Sequence, residues 1–288
     1  MTNFAKRLFG RPHSVSRTNQ ETTPLGDYIL GFCSGSQDAR SYAETHLARL
    51  IRTLELTPKG QPGDAILEMG AYMQITPALH TVLGYSEVRG CYLGQLGSTD
   101  NKSVVSASGE QFCCEIDLFN AEADRYPYAD GRFAAVLCCE LLEHLAEDPM
   151  HMMSEVNRIL RPGGHFVLST PNIAALRSIA AVFNGYHPGL FSQYTARVGG
   201  NRSDPRHSRE YTPREIRQLF EAAGFRVTNA ETGPYGLPSG SKDQREFDWV
   251  LPLLQEKGFS TEMRDDVIHI VGSKAGPVRD RYPAWLYV

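Results

Sequence analysis

Two carboxylates and an imidazole fall within five consecutive positions, Glu140, Glu143 and His144, and a second imidazole, His207, follows in the run RHSREYT. Separations of three and four put the first three side chains on one face wherever the backbone turns helically. Carboxylates and imidazoles together can ligate a divalent cation. A cation beside a hydroxyl lowers its pKa and holds it towards an electrophile. Mixed oxygen and nitrogen donors suit manganese, iron, cobalt or zinc better than magnesium, although magnesium stays open. Without a cation, the same residues allow His144 to act as a general base or simply to pack, with Glu143 solvated and Glu140 capping the turn or touching a ligand. A shared ion requires His144 and His207 to lie within about 8 Å of each other, since a ligand bond is about 2 Å long.

These residues need elements to hold them. Positions 133–139 are an apolar run too short for a helix, bounded by Ala129-Asp130-Gly131, and they predict a buried strand directly before the reactive group. Asp148 then caps a helix with Pro149 at its first position, and Met152, Val156, Ile159 and Leu160 repeat along one face. Arg161-Pro162-Gly163-Gly164 stops that helix, and a second apolar run, 165–170, ends at Pro171-Asn172. Strand, helix and strand make a right-handed crossover between parallel neighbours. Ligands of such sheets sit at the carboxyl ends of the strands, where Glu140, Glu143, His144 and Asn172 fall.

Earlier short apolar runs at 64–70, 88–92 and 112–118 predict three more strands, and helical patterns occupy 38–56 and 77–83. Residues 94–110 are polar and turn-rich and read as a connection. Beyond Asn172 come a helix-like run at 173–183, a long irregular segment rich in Tyr, Phe, His and Arg, and a helix begun by Thr212-Pro213. A strand at 225–232, a helix at 243–256 and a strand at 267–272 complete the order, the last two strands pairing antiparallel. The predicted fold is α/β: a Rossmann-like, seven-stranded, mostly parallel sheet with helices on both faces and one antiparallel edge strand. Residues 1–24, with Lys6, Arg7, Arg11 and Arg17 and no acid before Glu21, read as a disordered arm. Residues 25–274 read as one domain with insertions at about 173–211, a lid over substrate, and about 233–265, and 275–288 as a tail packed on it.

The runs CCELLEHL, ILRPGG and FVLSTPN resemble the second half of a class I S-adenosylmethionine-dependent methyltransferase, over about 42–274. The resemblance implies S-adenosylmethionine as cofactor, bound at the ends of the first three strands. Glu68 matches the acid that ends the family's first strand. Gly70 is the one glycine left in a loop where the family usually shows two or three; here it continues Ala71-Tyr72-Met73-Gln74. Tyr92 stands where the family commonly has an acid for both ribose hydroxyls, and a phenol offers a single oxygen. Asp117 matches a position that often accepts from the adenine amino group, with Leu118 packing on the ring, and Glu140 is a further expected cofactor contact. The Glu-x-x-Glu-His run with the downstream histidine is similar to that of the metal-dependent small-RNA 2′-O-methyltransferases, and the run alone to that of the ubiquinone-biosynthesis O-methyltransferases. This similarity implies a divalent metal on Glu140, Glu143, His144 and His207, with Glu143 and His144 at the reacting hydroxyl.

Composition sets the limits. The chain has 288 residues, 41% apolar and 22% charged, ordinary for a soluble globular domain. A formal charge of −4 argues against a polyanion binder, so nucleic acid is a poor candidate and a small molecule, sugar or glycan a better one. No apolar run is long enough for a membrane span. The six cysteines include two adjacent pairs and no C-x-x-C spacing, which reads as buried thiols in a reducing cytoplasm. Nothing fixes an oligomeric state. Two functions remain open: O-methyl transfer to a hydroxylated acceptor, a flat aromatic one included, and a catalytically silent domain of the same fold. The poor glycine loop and Tyr92 favour the second; the acid and histidine group favours the first.

Overall fold

The computed structural model describes residues 23–33, 35–190, 206–236 and 247–288. In chain order the elements are α1 (Pro24–Phe32), α2 (Gln37–Thr45), α3 (Leu47–Leu56), β1 (Ala65–Met69), α4 (Thr76–Thr81), β2 (Glu87–Tyr92), β3 (Ser98–Val105), β4 (Gln111–Leu118), β5 (Phe133–Cys139), a 3-10 turn (Leu142–His144), α5 (Pro149–Ile159), β6 (Leu160–Pro171), α6 (Leu176–Phe183), α7 (Pro213–Ala222), β7 (Phe225–Gly233), α8 (Val250–Glu256) and β8 (Val267–Lys274). The strands form one sheet in the order β3-β4-β2-β1-β5-β6-β8-β7. Its centre, β4-β2-β1-β5-β6, is parallel.

The mostly parallel, Rossmann-like sheet is thus the one the sequence predicts, with eight strands rather than seven. The added strand is β3, antiparallel to β4 at the sheet edge. Its sequence, STDNKSVV, has no apolar alternation until its last two residues, because an edge strand with an exposed face needs none. At the other end β8 runs antiparallel between β6 and β7, one place inside the edge. The expected helix at 38–56 is two helices, broken at His46, whose ring meets those of Tyr42 (centroids 4.3 Å) and Tyr235 (5.0 Å). Pro24, placed in the arm by sequence, opens α1 with Thr23 as its cap. The arm (1–22), much of the lid (191–205) and part of the second insertion (237–246) lie outside the described residues.

Alternation along the strands divides the core in two. Leu67, Met69, Val136 and Cys138 pack with Met152, Val156, Ile159, Ile216 and Phe220 on the face covered by α5 and α7. Ile66, Ala135, Leu137, Val167 and Val271 pack with Ile29, Leu47, Leu50 and Leu54 on the face covered by α1 and α3. No helix among the described residues is long and apolar enough to cross a membrane.

Asp148 ties the tail to this frame. It accepts from the His151 amide at 3.0 Å as the α5 cap, pairs with both Arg281 terminal nitrogens (2.9 and 2.5 Å) and accepts from the Tyr287 hydroxyl (2.5 Å). Losing a cap costs about 1 kcal/mol and losing a partly exposed ion pair up to about 1 more. Asp148→Ala is therefore expected to lower the denaturant midpoint by the equivalent of about 2 kcal/mol at constant m-value, measured by urea titration.

Candidate active site

The chain leaves β5 through Glu140, whose φ of 52° is in the left-handed region that non-glycine residues seldom enter. Its amide donates to the Ser169 carbonyl at 2.9 Å, and the single 3-10 turn follows. Because Glu140 lies before that turn, it does not share a face with Glu143 and His144. The side chains that offer ligand atoms to one another, Glu143, His144 and His207, do not include Glu140. Its Oε1 accepts from Ser169 Oγ (3.0 Å) and its Oε2 from the Tyr235 hydroxyl (2.9 Å). Glu143 instead reaches the next residue of β6, its Oε2 accepting from Thr170 Oγ1 at 2.9 Å, and neighbours on a strand point to opposite faces.

Glu143, His144 and His207 do converge, each offering a ligand atom within 4.8 Å of the others. Two backbone bonds make this possible: the Glu143 carbonyl accepts from the amides of Ser208 (2.7 Å) and Arg209 (3.1 Å). The imidazole rings sit 5.0 Å apart at 84°, inside the limit a shared ion sets. His144 Nδ1 lies 3.2 Å from the Arg206 carbonyl, which can only accept, so Nδ1 carries the proton and Nε2 the lone pair. That Nε2 is 4.0 Å from Glu143 Oε1. Glu210, three residues after His207, accepts from His207 Nδ1 (2.8 Å) and from the Leu190 amide (2.5 Å). A carboxylate on the far nitrogen of a histidine fixes its tautomer and orientation.

Glu143 is 1% exposed, and its Oε1 has no hydrogen-bond partner among the described residues. Burial pushes its carboxyl well above the usual range, and the nearby Glu140 carboxylate adds to this. Burial, and then the neighbouring His207, lower the pKa of His144. One carboxyl group and two imidazoles could hold a divalent cation, and three protein ligands would leave room on it for a substrate.

The expected cofactor residues lie at the ends of β1, β2 and β4. Gly70 has φ 70°, in the left-handed region, and a Cβ there would come into ordinary contact with Leu141 Cδ1 at 3.7 Å and Tyr72 Cε2 at 4.0 Å. Glu68 is 5% exposed with Oε2 unpartnered among the described residues, and burial pushes its pKa up to about 7. Tyr92 donates its hydroxyl to the Ala71 carbonyl, while Tyr72 meets its ring edge-on and Lys102 Nζ lies 3.9 Å from its centroid. Asp117 is already paired within the protein. Both its oxygens are engaged, by Arg89 at 2.6–2.7 Å, the Tyr128 hydroxyl at 2.8 Å and Thr99 Oγ1 at 3.1 Å, so an adenine amino group would have to displace one of them. Leu118 packs against Gly94.

Sequence reasoning missed Arg49, Tyr235 and Glu210. Arg49 is 2% exposed, donates to the Tyr42 hydroxyl at 2.9 Å and leaves its Nε without a partner among the described residues. A charge flanked by Leu50 and Ile51 on an amphipathic helix was the available signal. The signal for Glu210 was its place three residues after His207.

Residues 40–230 match the methyltransferase domain family. A Mycolicibacterium smegmatis protein named "Probable S-adenosylmethionine-dependent methyltransferase" is 30% identical over 112 residues, 39% of this chain and 36% of that protein. Demethylmenaquinone methyltransferase of Bacillus cytotoxicus is 26% identical over 168 residues, 56% of this chain and 69% of its own length. The chain thus spans about a third of the first relative and about two-thirds of the second. A solved complex of a Haloferax volcanii methyltransferase with the Trm112 methyltransferase activator aligns at TM-score 0.50 and 16% identity, over 89% of this chain and 100% of the matched one, a likeness of fold. The chain belongs to the methyltransferase domain family.

The buried Glu68 carboxyl gives a pH test. Its pKa is about 7 in the fold against about 4.3 in an unfolded chain. The folded state therefore binds the proton more tightly, and stability falls as pH rises between those values. Glu68→Gln is expected to flatten that fall and to be more stable than wild type at pH 8, as read from unfolding midpoints at pH 5 and 8.

Proposed function

We propose that this chain transfers the methyl group of S-adenosylmethionine to a hydroxyl of a small molecule, sugar or glycan, assisted by a divalent cation on Glu143, His144 and His207. The observation that carries the reading is the convergence of these three side chains around a buried carboxyl oxygen of Glu143 that has no hydrogen-bond partner among the described residues. A cation there would occupy the position that oxygen faces and would lower the pKa of an acceptor hydroxyl. The residues on the other side of the turn fit the cofactor. It supplies an electrophilic methyl on a cationic sulfur and carries an ammonium and a carboxylate. Glu68 Oε2 suits the positive charge and Arg49 Nε the carboxylate, since each is buried and otherwise unsatisfied. Gly70, at positive φ, would turn the loop after β1 towards the ligand, Leu118 would offer an apolar surface to the adenine, and Tyr92 would give the ribose a single polar contact in place of a carboxylate. Glu140 holds Tyr235 in position beside Arg49.

Two alternatives have support. The fixed Nε2 lone pair of His144 would let it take the hydroxyl proton with no cation present. The relatives named demethylmenaquinone methyltransferase favour a quinone-type acceptor.

Protein purified without chelator is expected to hold about one equivalent of metal, and transfer to catechols or sugars should stop in EDTA and return with manganese. Full activity in EDTA would favour His144 as sole base. No calorimetric heat with S-adenosylmethionine or its demethylated product would favour a silent domain. Glu210→Gln should weaken metal binding about 10- to 100-fold in a direct titration, because the His207 ring loses its charged partner.

A further inference from the structure

His269 lies on the face of the sheet that carries Ser169, one strand further out, in register with Ser169 on β6 and with Glu231 on β7. It is 2% exposed, and burial lowers its pKa to about 4, so near neutral pH it is an uncharged ring with one donor and one acceptor. Its ring nitrogens make no hydrogen bond among the described residues, and the ring lines a cavity of about 370 Å³ between α3 and the end of β7.

The other walls define the ligand. Ala48, Ile51, Gly233 and Pro234 present apolar surface. The charged groups at the cavity pair with one another, Arg52 bonding both Glu231 oxygens (2.5 and 2.8 Å) and Glu55 (2.9 Å). With two carboxylates to one guanidinium, an anion is disfavoured. A sugar would bring several hydroxyls to walls with one uncommitted polar group. The volume lies in the range of small-molecule pockets, about 300–1,000 Å³.

We propose that this cavity binds a neutral ring compound whose hydroxyl or carbonyl pairs with His269 while its ring lies against Ile51 and Pro234. The site stands independently of which acceptor is methylated.

The test is a titration of the full chain with 2-naphthol, followed by saturation-transfer NMR, with glucose as a second probe. Saturable naphthol binding is expected, with none for glucose. His269→Phe, which keeps the ring and removes its nitrogens, should weaken naphthol binding about two- to tenfold, the worth of one hydrogen bond. Ala48→Trp, which fills the cavity from a half-exposed position on α3, should abolish it while circular dichroism and the unfolding midpoint stay at wild-type values. Absence of saturable naphthol binding at millimolar concentration, equal binding by Ala48→Trp, or preference for glucose would overturn the proposal.

Discussion

A carboxyl group held at 1% exposure, with one oxygen bonded and the other without a partner among the described residues, is costly to keep in a protein interior, and Glu143 is in that state. Its backbone carbonyl is equally committed, accepting from both Ser208 and Arg209. The same residue therefore creates the electrostatic demand and anchors the segment that delivers His207. Removing the side chain would relieve the demand; moving the backbone would scatter the imidazoles. An arrangement costly to the apo fold persists where a ligand repays it, and a cation between Glu143 and two histidines would do so.

The opposite side of the same turn follows a different logic. Glu140, in a left-handed conformation at the end of β5, sends its carboxylate towards Ser169, Tyr235 and the surroundings of Arg49. One strand end thus lies between a nitrogen-rich group, His144 and His207, and the side around Arg49 and Glu68 proposed for the cofactor. On the side proposed for the cofactor, Tyr92 stands where the resemblance expects an acid, its hydroxyl bonded to the Ala71 carbonyl and its ring covered by Lys102. S-adenosylmethionine has no phosphates, so a glycine nest for anions is less necessary here than in dinucleotide sites.

Much of the frame was legible in the sequence because periodicity and caps are local. The strand at 133–139, the Asp148-Pro149 start of α5, the Thr212-Pro213 start of α7 and the return at 165–170 all follow from residue spacing. β3 was not legible, since its order comes from pairing with β4 along a polar, exposed edge. The site was legible in part. The choice of His207 depended on resemblance, and the structure brings it to His144. Glu140 was grouped with Glu143 on the assumption of a continuous helical turn, which one positive φ breaks. Arg89 could not be foreseen as the partner that saturates Asp117, nor Arg49 as a buried guanidinium, because both depend on contacts between distant segments.

The most direct measurement is anomalous diffraction from crystals soaked in manganese. A single peak within about 2.3 Å of a Glu143 carboxylate oxygen and one nitrogen each of His144 and His207, absent from His207→Ala crystals, is the predicted result. A map with no peak there, while Glu143, His144 and His207 keep their positions, would contradict it.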